Sequence, residues 1–197
     1  MLNNTFWQER YLQNDTGWDI GQPSAPLKIY IDQLGNKNLN ILIPGCGNSY
    51  EAEYIWQHGF KNIHLLDYAQ QPLDNFKKRN PDFPEMNLHY EDFFNHKGTY
   101  DLIIEQTFFC AIDPALRTKY AEQMYSLLAD SGKLVGVLFN RDFEKSGPPF
   151  GGTEVEYINY FQPYFDFHVF EKAYNSIEPR SGHELFMILK KRLLPSR

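Results

Sequence analysis

The chain has 197 residues, 42% of them hydrophobic and 22% charged, with a formal net charge of -6. That length and balance suit one soluble globular domain with a sizeable core. A negative chain without a Lys/Arg cluster lacks the phosphate-tracking face of a nucleic-acid binder, and no apolar run approaches the roughly 20 residues that cross a bilayer.

A small molecule is therefore the expected partner, and aromatic residues, at 16%, supply rings to line a pocket as well as to fill a core. Cys46 and Cys110 lie far apart without ligand spacing, which fits a reducing cytoplasm rather than a disulfide framework. The first five residues lack the basic and apolar blocks of a signal peptide. Lys190, Lys191 and Arg192, with Arg197, read as a solvated basic tail. The six histidines are scattered without ligand spacing, so no metal site is expected. The expected assembly is a monomer or weak dimer.

Residues 5–13 carry Phe6, Trp7, Arg10 and Tyr11 at helical spacing, and residues 25–34 place Leu27, Tyr30, Ile31 and Leu34 on one face. The rhythm then changes to an apolar run, 39–43, ended by Pro44-Gly45-Cys46-Gly47: a buried strand stopping at a tight turn. A helix over 49–58 closes at Gly59, and a second strand covers 62–67. Helix 70–79 is followed by a short strand at 87–90 and a fourth strand at 100–105. Asp113 caps a helix that begins at Pro114 and runs to about residue 128, and a fifth strand covers 132–139. Residues 140–152 form a Gly- and Pro-rich loop, 153–161 a short helix, and 164–174 and 183–190 two late strands. Strands alternating with helices build a doubly wound α/β sheet, mostly parallel. The last two strands lack an intervening helix and are expected to pair antiparallel.

Chemistry is expected at the strand ends, because an open α/β sheet binds its ligands there. Gly45 and Gly47 let the backbone turn sharply and let a ligand approach closely, and the next helix points its amides there. A dinucleotide site would want a third glycine at position 50, where this chain has Tyr50, so the turn suits a ligand without phosphates. Taken alone, it also fits a plain structural turn. Asp67 ends the second strand, where a carboxylate accepts from both hydroxyls of a ribose; its spacing fits NAD and S-adenosylmethionine (SAM) alike. Glu91-Asp92-Phe93 follows the third strand, and Glu105-Gln106-Thr107-Phe108-Phe109 ends the fourth. No Gly-x-Ser-x-Gly elbow or P-loop is present, so no catalytic nucleophile or base is assigned.

Taken together, these positions resemble the thiopurine S-methyltransferase superfamily, most closely its halide/thiol methyltransferase branch. The resemblance runs along nearly the whole chain. Its opening, Phe6-Trp7-Gln8-Glu9-Arg10-Tyr11 followed by Gly17-Trp18-Asp19-Ile20-Gly21, is similar to the family's cofactor-covering cap, with Trp7, Tyr11 and Trp18 at its aromatic points. Thr107-Phe108-Phe109-Cys110-Ala111-Ile112-Asp113-Pro114 is the match most specific to the halide/thiol branch. Ser146-Gly147-Pro148-Pro149-Phe150 resembles the substrate loop of the thiopurine branch.

The resemblance implies a class I SAM-dependent methyltransferase, with a Rossmann-like sheet finished by an antiparallel pair. It implies a single domain over 1–197, of which 1–35 is a helical cap. SAM contacts are implied at Trp7, Tyr11, Trp18, Gly45, Asp67, Asp92, Phe93 and Gln106, with Asp92 on the adenine amino group and Phe93 on the ring. Gln106 departs from the family's arginine or tyrosine, and Tyr11 stands where bacterial thiopurine enzymes often carry tryptophan. Substrate contacts are expected at Glu105, Phe109, Phe150 and Arg180. The implied reaction moves a methyl group to a small soft nucleophile (thiol, sulfide, halide or thiopurine) and leaves S-adenosylhomocysteine. Two other readings stand beside it, a NAD-dependent oxidoreductase and a non-catalytic SAM-binding module.

Overall fold

A computed structural model describes residues 2–144 and 146–193. Helix α1 (Asn4–Leu12) starts where the Asn3 side chain accepts from the Phe6 amide at 2.9 Å, an ordinary N-cap. Helix α2 (Ala25–Asp32) carries Pro26 in its first turn, where the missing amide costs nothing, and buries Leu27 and Ile31.

Among the described residues seven strands follow: β1 (Ile41–Pro44), β2 (Ile63–Asp67), β3 (Leu88–Tyr90), β4 (Tyr100–Gln106), β5 (Leu128–Phe139), β6 (Phe165–Lys172) and β7 (Glu184–Lys191). They form one sheet in the order β3-β2-β1-β4-β5-β7-β6. β1 to β5 are parallel, and β7 runs antiparallel to both neighbours. Helices α3 (Tyr50–Gln57) and α4 (Gln70–Arg79) join α2 on one face; α5 (Arg117–Leu127) and α6 (Glu154–Phe161) cover the other.

Strand alternation builds this two-sided core. Ile41 and Ile43 pack with Leu27, Ile55 and Phe76 on one face, while Leu42 packs with Tyr120 and Phe161 on the other. β4 repeats the pattern, with Leu102 and Ile104 on the first face and Ile103 on the second. The chain winds one way from β1 to β3 and the other way from β4. That reversal leaves a crevice beyond the carboxyl ends of β1 and β4.

The antiparallel ending is as the sequence implies, with differences at its margins. β5 begins at Leu128 rather than Gly132. Lys190 and Lys191 belong to β7 and are not a tail. Lys191 Nζ donates to the Leu128 carbonyl at 2.6 Å and lies 4.7 Å from the Tyr125 ring centre, and Arg192 pairs with Asp166 at 2.9 Å. Partners fixed by β5, α5 and β6 hold these cations against the sheet. Arg197 lies outside the described residues. Among the described residues, no helix is long and apolar enough to cross a membrane.

Candidate active site

The crevice holds a cavity of about 350 Å³. Its floor is the turn after β1, where Gly45 and Gly47 both adopt φ 54° and Ser49, at the start of α3, φ 59°. A Cβ on Gly45 would lie 2.2 Å from Phe108 Cδ2, so position 45 must be glycine both for its left-handed backbone and for the ring above it. Tyr50, where a dinucleotide fold keeps glycine, stacks its ring under the Arg79 guanidinium at 4.9 Å.

Asp67 ends β2 and is almost fully buried. Its Oδ2 accepts from the Gly47 amide at 2.9 Å and its Oδ1 from the Ala69 amide at 2.8 Å, which fixes the carboxylate while leaving each oxygen a second lone pair. Burial pushes its pKa up to about 6, against the pull of those amides. Asp92 caps the short turn Phe93–Asn95 by accepting from the Phe94 amide at 2.9 Å with Oδ1. The structural role and a ligand role coexist, since Asp92 also lines the cavity. Gln106 lines it too, and its buried Oε1 has no protein partner, an acceptor awaiting a donor.

The N-terminal aromatics roof the same space. Trp18 meets the rings of Trp7 and Tyr11 edge to face at 5.6 and 5.7 Å, and the Arg10 guanidinium lies 4.5 Å from its ring centre. Thus Trp7, Tyr11, Trp18, Gly45, Asp67, Asp92, Phe93 and Gln106 all border one cavity.

The four residues expected at the substrate do not border it. Glu105 and Phe109 are fully buried behind the wall, because strand alternation turns Glu105 toward α5, where its Oε1 accepts from the Phe109 amide at 3.0 Å. Burial raises its pKa to about 8. Phe150 is set back by its backbone: its amide donates to the Cys110 carbonyl at 2.6 Å, and Pro148 and Pro149 form the wall instead. Arg180 lies one layer out, donating to the Trp18 carbonyl at 2.6 Å and pairing with Glu184 at 3.3 Å. The rest of the wall includes Thr107, Phe108, Ala111, Ile112, Asp113 and Phe139.

Sequence reasoning missed Arg117. This side chain is buried, and its guanidinium donates to the carbonyls of Phe150 (3.3 Å) and Gly151 (2.9 Å) and pairs with Glu156 at 2.8 Å. It moors the loop that brings Pro148 and Pro149 over the cavity. Nothing in its local sequence sets it apart from a surface arginine on an amphipathic helix.

A mostly parallel sheet with its antiparallel strand inserted beside the last one, and an aromatic-roofed crevice at its switch point, defines a class I SAM-dependent methyltransferase. The family model for thiopurine S-methyltransferase matches residues 2–192, and the chain belongs to that family. It is 28% identical over 187 residues to "Probable thiol methyltransferase 2" of Arabidopsis thaliana, spanning 90% of this chain and 81% of that one. A thiopurine S-methyltransferase of Francisella tularensis is 22% identical, over 86% of this chain and 84% of its own. Among solved structures, the 1,6-didemethyltoxoflavin-N1-methyltransferase of Burkholderia thailandensis, with bound S-adenosylhomocysteine, superposes with a TM-score of 0.79. The two are 16% identical, and the match covers 96% of this chain and 87% of the other. The enzyme is a SAM-dependent methyltransferase, and the NAD-dependent alternative is set aside.

Proposed function

We propose that the cavity binds SAM and presents its methyl group to a small soft nucleophile: a thiol, sulfide, halide or thiopurine. The observation that carries this reading is the wall's composition. Among the described residues it bears no Lys, Arg or His, only rings, apolar side chains, amide and hydroxyl groups and three carboxylates, Asp67, Asp92 and Asp113. With Asp67 and Asp92 given to the cofactor and Asp113 capping the turn at Pro114, the wall favours an acceptor that attacks without first losing a proton to the protein. When bound, SAM supplies a methyl group on a positively charged sulfur.

The chain's own residues bind, orient and dry the site. Asp67 accepts from the ribose hydroxyls, Asp92 from the adenine amino group, and Phe93 packs on the base. Gln106 Oε1 accepts from the ammonium of the methionine part. Trp7, Tyr11 and Trp18 close over the cofactor as part of a cap formed by the first 35 residues of a single methyltransferase domain. Their faces and the carboxylates favour a cation, and their closure removes water from the attacking atom. Two free cysteines support a cytoplasmic location and the net charge of -6 supports action without nucleic acid; a monomer or weak dimer completes the proposal.

A methyl-labelled SAM assay against hydrosulfide, iodide and a thiopurine tests this reading. Labelled methanethiol, methyl iodide or S-methylated thiopurine is expected. Tight SAM binding with no transfer to any of the three would leave the non-catalytic module standing instead.

A further inference from the structure

We propose that His89, Glu91 and His96 form a binding site for a divalent transition-metal ion of the zinc type, outside the cofactor cavity. The three residues each offer one donor atom, and these atoms lie within 4.8 Å of one another. Glu91 Oε1 is 2.6 Å from His96 Nδ1 and 3.9 Å from His89 Nδ1. The carboxylate thus stands between two inward-turned ring nitrogens.

The second nitrogen of each ring is already engaged. His89 Nε2 lies 3.0 Å from His64 Nδ1, and His96 Nε2 lies 2.7 Å from the Tyr100 hydroxyl. Metal-binding histidines carry this kind of outer support, because it fixes the ring and the tautomer. Here it comes from β2 and β4, so the rings are set by the sheet rather than by the loop. His64 and His89 stack at 5.3 Å, and His96 and Tyr100 at 5.8 Å.

Two imidazoles and one carboxylate select zinc-type ions over magnesium or calcium, which prefer all-oxygen cages. Exposure is graded: the His96 side chain is 3% exposed, His89 24% and Glu91 39%. The buried ring anchors the site, the partly exposed carboxylate completes the donor set, and the open side leaves a position for water. The site borders the proposed adenine contacts, since Glu91 immediately precedes Asp92 and Phe93. None of the three donors borders the cavity itself.

The test is calorimetric titration of the metal-free, full-length protein with zinc chloride, with cobalt(II) absorption as a second readout. One zinc per chain at micromolar or tighter affinity is expected, together with the intense visible bands of four-coordinate cobalt. His89→Gln and Glu91→Gln should each weaken zinc at least about tenfold, as loss of one of three ligands requires. Glu91 is partly exposed, so its variant keeps the test open if His89→Gln folds poorly. Absence of micromolar zinc binding, or unchanged affinity in both variants, would overturn the site. Neither result depends on SAM.

Discussion

The ring of Phe108 occupies the space that any side chain at Gly45 would need, with a Cβ there falling 2.2 Å from Phe108 Cδ2. Phe108 cannot swing away freely, because it packs edge to face on Phe93 at 5.3 Å and against Tyr120 at 5.8 Å. Gly45→Ala therefore meets two penalties: a left-handed backbone, about 1–2 kcal/mol, and overpacking of about 1–3 kcal/mol. Urea unfolding should show the sum. In a Phe108→Ala background, Gly45→Ala should cost only the backbone share. A double variant no better than the two single effects added together would mean that the ring is not the obstacle.

The proposed ribose contact makes Asp67 the expected determinant of the pH range of cofactor binding. Its pKa stands at about 6 in the free protein, and ribose hydroxyls donate only to its ionised form with full strength. Binding should be level above that pH and weaken by up to about tenfold per unit below it, as the carboxyl gains its proton. Asp67→Asn should bind SAM about 10–100-fold more weakly at pH 7.5, the cost of losing a charged acceptor, and should lose the pH dependence. Calorimetry from pH 5 to 8 decides; a wild-type dissociation constant that stays flat over this range would remove Asp67 from the ribose.

The residues that border the cavity were legible because they sit where strands stop. Gly45, Asp67, Asp92 and Gln106 each follow or end a run whose alternation marks a strand, and strand ends in a parallel sheet share one edge. Glu105 was misplaced as a wall residue although the same alternation gives its burial: Ile103 faces the α5–α6 core, and Glu105 shares its parity. The histidines on β2 and β3 were illegible for a different reason. His64 and His89 meet across neighbouring strands 25 positions apart, and spacing along the chain carries no trace of strand adjacency. Arg117 is the hardest case, since its partners Phe150, Gly151 and Glu156 are more than thirty positions away.

Arg180 holds the backbone of Trp18, part of the aromatic roof over the cavity. Its guanidinium holds the Trp18 carbonyl at 2.6 Å and lies 5.2 Å from the ring centre of Phe139, while Glu184 pairs with it from β7. Arg180→Ala should free the aromatic roof and raise the SAM dissociation constant about tenfold, the worth of one charge-assisted hydrogen bond. The acceptor's KM should change far less, because Arg180 does not border the cavity. Tryptophan fluorescence quenching by S-adenosylhomocysteine reads the first effect. A selective rise in acceptor KM would return Arg180 to the substrate.

Glu105 makes stability depend on pH in an unusual direction. Burial holds its folded pKa at about 8 against an ordinary value of 4.5, with Oε2 lacking any partner. The folded chain keeps this proton up to about pH 8, whereas the unfolded chain releases it near 4.5. The stability this group contributes is therefore whole below pH 4.5, falls as pH rises, and is lost through pH 8. Full loss is on the order of 3–5 kcal/mol from the size of the shift. Glu105→Gln preserves the acceptor for the Phe109 amide and has no proton to release. The variant should match the wild type near pH 5 and exceed it by several kcal/mol at pH 8.5. Paired denaturation curves at the two pH values measure that difference directly. A stability gap that does not widen with pH would mean that water or a shifted side chain reaches Glu105 in the folded protein and solvates its charge.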